Sequence, residues 1–332
     1  MKIKIMKFGG TSLSDPEKIR LAAGRAAAEK KKGFAVVLVL SAPGLVTDEL
    51  LELASRVTKN PDPRELDALL SCGEQLSVTL AAMSLRASGC AAISLTGAQA
   101  GILTDNSHLN ARLLKVRPKR LLAELKKGRI AVVAGFQAIS RSGDVTTLGR
   151  GGSDLSAVAL AGELKASICE LYSDVKGIYT ANPALVASAR KLSKISYKEV
   201  MALARAGTEV RQLKAVAYAR KHRIPLLLRS SFDRESGTLV GDFRRAGKKP
   251  AVTCFSARKT KTGSEITIIG SMLNAASVMA LLRRAAASAG CRLKYARCTP
   301  DRITLRTERQ AGESLLCALH KVFIDQAQMR AY

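Results

Sequence analysis

Residues 147–154, TLGRGGSD, set three glycines around one arginine and end on Ser153 and Asp154, where an apolar run of helical character begins. Glycines let backbone N–H groups approach a ligand closely, and the start of the next helix adds a partial positive charge. That combination suits phosphate or carboxylate, with Arg150 as a bidentate carboxylate partner. By itself the stretch reads equally as a tight strand-to-helix turn with no ligand, and it is neither a Walker A loop nor a GxGxxG fingerprint. A second stretch, KFGGTS at 7–12, puts Lys7 at the end of a strand, where it can reach phosphate oxygens, followed by Gly9 and Gly10 with their exposed donors. Glu74, beside Gly73 in SCGEQLS, reads as an acid at a helix start. It is either a plain N-terminal helix charge or an acceptor for a substrate ammonium. One cation, one acid and several N–H donors suit a zwitterionic amino acid next to a nucleotide.

The elements that must position these groups alternate along the first 240 residues. KIKIMKFGG reads as a strand running into a glycine turn, and residues 14–33 as a helix capped by Ser14 or Asp15. Glu17 completes a capping box with Ser14, and Gly33 ends the helix. FAVVLVLSA and RIAVVAGFQA are continuous apolar strands of the buried, parallel kind. Between them lie TDELLELASRVT, a helix capped by Thr47 or Asp48, and a longer helical stretch ending at Gly89. CAAISLTG and later ASICELYSD and IPLLLRSS add strands. The alternation predicts an α/β fold with a mostly parallel open sheet sandwiched by helices. In such a sheet ligands bind beyond the carboxyl ends of the strands, where 7–12, 41–48, 134–137 and the glycine loop all fall. Residues 241–250 read as a linker. Beyond them the order β-α-β-β-α predicts a small ferredoxin-like α+β domain.

Composition narrows the class. With 47% hydrophobic residues, 4% aromatics and no Trp, the core must be aliphatic. Seven scattered cysteines without a CxxC pair, and three histidines, argue against zinc and against a secreted disulfide frame. Buried thiols in a reducing cytoplasm are the expectation. The basic N-terminal segment has too short an apolar stretch for a signal peptide, and residues 34–40 are too short to span a bilayer, so a soluble protein is expected. The net charge of +27 invites a nucleic-acid reading. The basic residues are spread along the chain without an aromatic-interleaved motif, which favours a surface property over nucleic-acid binding. Cys72 reads as a small buried filler, and His108, in TDNSHLNAR, as a solvated loop histidine.

Six collinear stretches, KFGGTS, SLTGAQAGILTD, VAGFQ, TTLGRGGSD, SDVKGIYTANP and KISYKEV, give the chain a resemblance to the aspartate kinases of the amino acid kinase superfamily. The resemblance covers residues 1–240, and the C-terminal part resembles that family's ACT regulatory module. It implies a catalytic domain over 1–245 and a single ACT-like domain over 250–332. It implies transfer of the ATP γ-phosphoryl to the side-chain carboxylate of L-aspartate, with Mg²⁺ and with no metal ligands from protein side chains. Lys7, Asp154 and Arg150 match catalytic positions. Gly9, Gly10, Ser41, Gly152, Ser153, Ser173, Asp174, Tyr179 and Pro183 match the ATP-binding set, together with Lys7. Thr47, Glu74, Phe136, Arg150 and Ser153 match the aspartate-binding set. A homodimer through the ACT-like domain follows from the same resemblance.

The departures carry expectations too. Ala184 stands where the family often has an arginine near the ATP phosphates, and Glu209 where it often has a lysine. Arg211 or Lys214 is positioned in the sequence to compensate, and weaker ATP binding is expected. Ala276 and Ser277 replace the usual Pro-Gly of the effector loop, so weak or absent feedback by lysine or threonine is expected. The alternatives are a related carboxylate kinase and a weakened or non-catalytic homologue with a binding role.

Overall fold

The computed structural model describes residues 1–207, 213–243, 250–291 and 293–326. The chain divides into two units, Met1–Lys176 with Lys214–Gly241, and Gly177–Leu213 with Asp242–Tyr332. Residues 177–213 therefore group with the C-terminal part of the chain. Of the positions singled out above, Glu209, Arg211 and most of the 241–250 linker lie outside the described residues.

The first unit begins with β1 (Ile3–Phe8), a 3-10 turn at Gly10–Leu13, α1 (Pro16–Lys31) and β2 (Ala35–Leu40). Both strands are buried along their whole length: β2 is a continuous apolar run, and β1 also buries Lys4, paired with Glu29 and Glu170, and Lys7. Asp15 caps α1 by accepting the Lys18 N–H at 2.8 Å, and Pro16 takes the first helical position. Glu17 then falls one place short of a capping box, which corrects that expectation. Next come α2 (Val46–Val57) and α3 (Pro63–Ala87). Leu45, without a side-chain cap, precedes α2, so Thr47 and Asp48 sit inside its first turn instead of capping it. The preceding turn closes through the Val46 N–H on Pro43 O and leaves no place for a later start. α3 starts at the Asp62-Pro63 signal, with Asp62 accepting the Arg64 and Glu65 N–H groups. Glu74 is consequently in mid-helix, which corrects its reading as a helix start. α3 is long and apolar enough to cross a membrane by length and composition, yet Leu70, Val78, Ala81 and Leu85 on it are buried inside the unit.

The chain continues through β3 (Ala92–Leu95), β4 (Ile102–Thr104), β5 (Leu113–Val116), α4 (Lys119–Lys126), β6 (Ile130–Ala134), β7 (Gln137–Ile139), β8 (Val145–Thr147), α5 (Gly152–Glu163) and β9 (Ile168–Ser173). After β10 (Lys194–Ser196) and α6 (Tyr197–Arg205) of the second unit, it returns with α7 (Leu213–His222), β11 (Leu226–Ser230) and β12 (Thr238–Gly241). The main sheet runs β12-β11-β9-β1-β2-β6-β3, parallel throughout except for β12 against β11. Met6, Phe8, Leu38, Leu40 and Val132 on one face pack with Ile19, Ala22 and Ala26 of α1 and with Val78, Ala81 and Leu85 of α3. α5 covers the other face and is buried from Gly152 to Ala161. The register pairs Phe8 with Leu40 and Tyr172, and Leu40 with Ala134. The turns that follow β1, β2, β6 and β9 therefore start level at one edge of the sheet. A small second sheet, β5-β4-β7-β8, was not foreseen from the sequence.

The second unit carries β13 (Ala251–Thr260), β14 (Gly263–Ser271), α8 (Ala276–Ser288), β15 (Lys294–Thr299), β16 (Arg302–Thr307) and α9 (Ala311–His320). Its antiparallel sheet runs β13-β14-β16-β15. The expected β-α-β-β-α order is present with one strand, β13, added in front. Phe255, Ile266, Ile268, Ile303 and Leu305 form its core with Leu282, Leu315 and Leu319. Ala181 and Val186 belong to the same core, which ties 177–191 to it. His320 completes that tie. It is fully buried, with Nε2 2.8 Å from Thr180 Oγ1 and Nδ1 3.2 Å from Ser188 Oγ.

Burial holds the His320 imidazole below its ordinary value near 6.5, against the pull of Asp325. A histidine depressed in the folded state is protonated more readily when unfolded, so its contribution is complete above pH 6.5 and lost as pH falls through the depressed value. His320→Gln should cost about 1 kcal/mol at pH 7.5 for the impaired hydrogen bonds, and its deficit in thermal midpoint against the parent chain should narrow between pH 7.5 and pH 5.5. Melting curves of both chains across this range check it.

Candidate active site

The first group at the level strand ends is Lys7. Its Nζ lies 2.6 Å from Asp154 Oδ1, and the two side chains are only 9% and 6% exposed. Lys7 stands on the α5 face of β1, and Asp154 in the first turn of α5. A pair removed this far from water gives up hydration that its own attraction barely returns. Its usefulness lies in direction: Asp154 holds a cation at the mouth of the strand ends. Gly9 stands beside it, since a Cβ there would come within 3.7 Å of Lys7 Nζ.

The glycine loop delivers the second cation. Gly149 and Gly151 have φ of +75° and +70°, a left-handed backbone that other residues adopt at a cost, and Gly151 is the N-cap of α5. The loop closes on itself through the Gly152 N–H on Gly149 O at 2.8 Å. The loop is thus a tight glycine turn that opens a helix beside a cleft, a geometry that an anion-binding turn requires and a ligand-free turn shares. Arg150 is exposed at its tip and makes no ion pair among the described residues. Phe136, at φ +65°, is held in its strained conformation by its N–H on Ser156 Oγ and its carbonyl accepting the Leu148 N–H.

Glu74 supplies the acid. It is 3% exposed, and its Oε1 accepts the Ala42 N–H at 3.0 Å, while Oε2 is buried without a hydrogen-bond partner. Burial pushes the carboxyl up to about 7, against the lowering by the Ala42 N–H. An unsatisfied buried carboxylate oxygen is costly, and the cost is relieved by a cation entering from the cleft.

Lys7, Gly10, Ser41, Thr47 and Glu74 line one cleft of about 470 Å³. Phe136, Arg150, Gly152 and Ser153 line it too, with Leu66 and Leu70 as an apolar wall. Gly9 and Asp154 stand behind Lys7. Ser173 and Asp174 follow at the end of β9, where Ser173 Oγ accepts the Val175 N–H at 3.2 Å and Asp174 is exposed. Tyr179 and Pro183 belong to the second unit, where Tyr179 bridges to Lys191 and Pro183 is exposed. Lys214 is engaged: its Nζ is 2.5 Å from Asn110 Oδ1. Among the described residues no group of three or more His, Cys, Asp or Glu is placed to hold a metal ion.

Two expectations fail here. Cys72 is exposed on α3 instead of buried. His108 is no solvated loop residue: its Nδ1 donates to Asp67 Oδ2 at 2.8 Å. Asp67 itself was missed. It is wholly buried, and it also accepts the Leu109 N–H at 3.0 Å and the Thr147 hydroxyl at 2.5 Å. Its signal in the sequence was the seven-residue spacing from Glu74, two helical turns on one face.

Known proteins resemble this chain in sequence and fold. The model of the amino acid kinase family matches residues 2–230. The aspartokinase of Corynebacterium glutamicum is 45% identical over 271 residues, covering 81% of this chain and 64% of the relative. The chain thus spans about two-thirds of the length of the curated relatives it matches, a little under that share at 64%. Among solved structures, aspartate kinase from Synechocystis superposes with a TM-score of 0.66 at 29% identity, covering 97% of this chain and 69% of that one. Aspartokinase III of E. coli, in complex with aspartate and ADP, gives a TM-score of 0.79 at 21% identity and covers 97% and 99%, a likeness of fold. With the family model matched over most of its length, and the strand-end cleft built from residues inside that match, this chain belongs to the amino acid kinase family.

Proposed function

We propose that the chain is an aspartate kinase, transferring the γ-phosphoryl of ATP to the side-chain carboxylate of L-aspartate to give 4-phospho-L-aspartate. The observation that carries this reading is the pairing of opposite receptors in one cleft. Glu74 presents an unpartnered buried carboxylate oxygen, and Arg150 an uncommitted guanidinium, beside Lys7. An α-amino acid with a second carboxylate satisfies all of them. The names of the relatives, and the aspartate and ADP bound by the E. coli protein, point the same way.

In this reading Glu74 takes the substrate ammonium, Arg150 a carboxylate, and Thr47, Ser153 and the Phe136 backbone complete the aspartate set. Gly9, Gly10, Ser41, Gly152, Ser153, Ser173 and Asp174 serve the nucleotide from the first unit, and Tyr179 and Pro183 are the family-based assignments of the second. The acceptor carboxylate is ionised near neutral pH, so in-line attack on the γ-phosphorus needs no general base. Lys7 neutralises charge gathering on the transferred group, held to that task by Asp154, and the N-terminus of α5 adds its dipole. Positioning and charge neutralisation then do the catalytic work. Mg²⁺, when bound, supplies further neutralisation of phosphate charge. The catalytic domain is taken as 1–245. The C-terminal β-β-α-β-β-α order supports the ACT-like assignment of 250–332. A homodimer through that domain is the family-based part of the same reading. No disulfide links the described cysteines, which supports a cytoplasmic setting.

Incubation with ATP, Mg²⁺, L-aspartate and hydroxylamine should yield aspartyl hydroxamate. Lys7→Ala should lower kcat by about 10²–10³-fold, the cost of removing one preorganised charge-stabilising donor. Absence of product from the parent chain at high ATP overturns the kinase reading.

Glu74 gives a pH signature. Below about 7 its carboxyl is neutral in the ligand-free protein and must lose a proton to meet an ammonium. The KM for aspartate should therefore rise as pH falls below 7, by roughly tenfold per unit once the carboxyl is mainly protonated. Glu74→Gln should flatten this profile and raise KM at pH 8.

The same raised value makes the folded state bind a proton more tightly than the unfolded state between 4.5 and 7. Ionisation thus costs stability as pH rises through that window, up to about 3 kcal/mol above it. Ligand-free Glu74→Gln should accordingly melt higher than the parent at pH 8, and closer to it at pH 5. Paired melting curves decide this.

A further inference from the structure

Asp67 has no part in the chemistry just described, yet three hydrogen bonds end on its buried carboxylate. Two of them reach the loop that follows β4: His108 Nδ1 and the Leu109 N–H both donate to Oδ2. The third comes from the other side, where the Thr147 hydroxyl at the end of β8 donates to Oδ1. Leu109 has φ of +64°, a left-handed conformation costly for a leucine, and the bond from its N–H to Asp67 helps to hold it there. The next residue bears on the glycine loop. A Cβ at Gly149 would stand 2.7 Å from Asn110 Oδ1 and 3.3 Å from the Leu109 carbonyl, so the two loops are in direct contact. The Ala111 N–H also donates to the Thr147 carbonyl at 2.8 Å. Arg150 follows Gly149 directly. The loop that carries it is thus gripped from both sides, by Thr147 before it and by 109–110 against it, and both grips converge on one carboxylate.

That carboxylate lies on the same helix as Glu74, seven residues earlier and on the same face, about 10 Å along the axis. We infer that Asp67 is a positioning residue for the acceptor site, fixing the Arg150 loop to α3 so that the distance between Arg150 and Glu74 selects the length of the acidic amino acid accepted. The inference rests on the aspartate-kinase reading. α3 acts as a ruler: one acid on it faces the substrate ammonium, and the other sets where the carboxylate receptor stands. An amide at position 67 keeps an acceptor toward His108 and Leu109 only by turning its NH₂ group to the Thr147 hydroxyl, which must then reverse from donor to acceptor, and it removes the charge that strengthens all three bonds.

The test is steady-state hydroxamate kinetics of the full chain and of Asp67→Asn, with L-aspartate and L-glutamate as alternative acceptors. The expected result is a KM for L-aspartate raised about tenfold, a KM for ATP within twofold of the parent, and a preference for aspartate over glutamate in kcat/KM reduced about tenfold. Misplacement of a binding group by about 1 Å has effects of this size or larger. An unchanged aspartate KM overturns the inference. So does a parallel rise of both KM values with the acceptor preference intact, because that is the mark of a merely structural residue. If Asp67→Asn fails to fold, His108→Ala removes one grip from outside the cleft and should raise the aspartate KM about threefold with the ATP KM unmoved; no change overturns the inference. A parent chain that makes no hydroxamate from either acceptor overturns the aspartate-kinase reading itself, and the assignment of Asp67 falls with it.

Discussion

A lysine ammonium and an aspartate carboxylate 2.6 Å apart, almost out of reach of water, can be kept only by a scaffold that allows neither to withdraw. Much of the first unit serves that constraint. β1 is buried along its full length between β2 and β9, so Lys7 has no route to solvent except over the strand end. α5 is buried along nearly its full length and presents Asp154 from a turn that begins on two left-handed glycines. The aliphatic layers on both sides of the sheet hold strand and helix in place, and the pair records their mutual position. Replacing it with apolar residues of the same volume would cost little in folding. Its retention makes sense as the fixing of one charge at one place.

The same logic separates the two acids of α3. Glu74 is left with an unmet oxygen beside a cleft, and Asp67 is met from every side. Both are buried in the same helix, so burial does not distinguish them. What distinguishes them is whether hydrogen-bond capacity is left over. An acid with spare capacity is held at a cost that a ligand can relieve, and an acid with none is a fastening. A site read from buried charges alone would merge these roles.

How much of this was legible in the sequence follows from the range of each signal. The buried parallel strands and the level turns after them are written in continuous apolar runs closed by glycine, and Lys7, Glu74, Arg150 and Ser153 do share one cleft. The helical stretch of α3 is legible from Glu65, close to its true start at Pro63, and only the placing of Glu74 at a helix start, beside Gly73, departs from it. The small sheet was not legible, because strands of three or four residues are too short for a period of two to be recognised. Asp67, and the partner that takes His108 out of the solvated loop, are not legible for a different reason. Their partners lie 41 or more residues away in sequence, and no local pattern reports such a contact. β13 went unread because its outer half carries Arg258 and Lys259, exposed polar residues that mask the strand pattern of the buried half.

The excursion of residues 177–213 into the second unit has a consequence for how the first can assemble. β9 is flanked by β1 on one side and by β11 on the other, and β11 arrives only after that excursion and α7. Closing such a long span is a late and entropically expensive step. Until it happens, β9 shows a bare row of backbone donors and acceptors beside the apolar Leu171 and Tyr172. A chain emerging from the ribosome carries that open edge for the whole time needed to make the intervening segment. A fragment cut after Lys176 would carry it permanently. Residues 214–241 are thus the covering that keeps the half-made sheet from pairing with its neighbours.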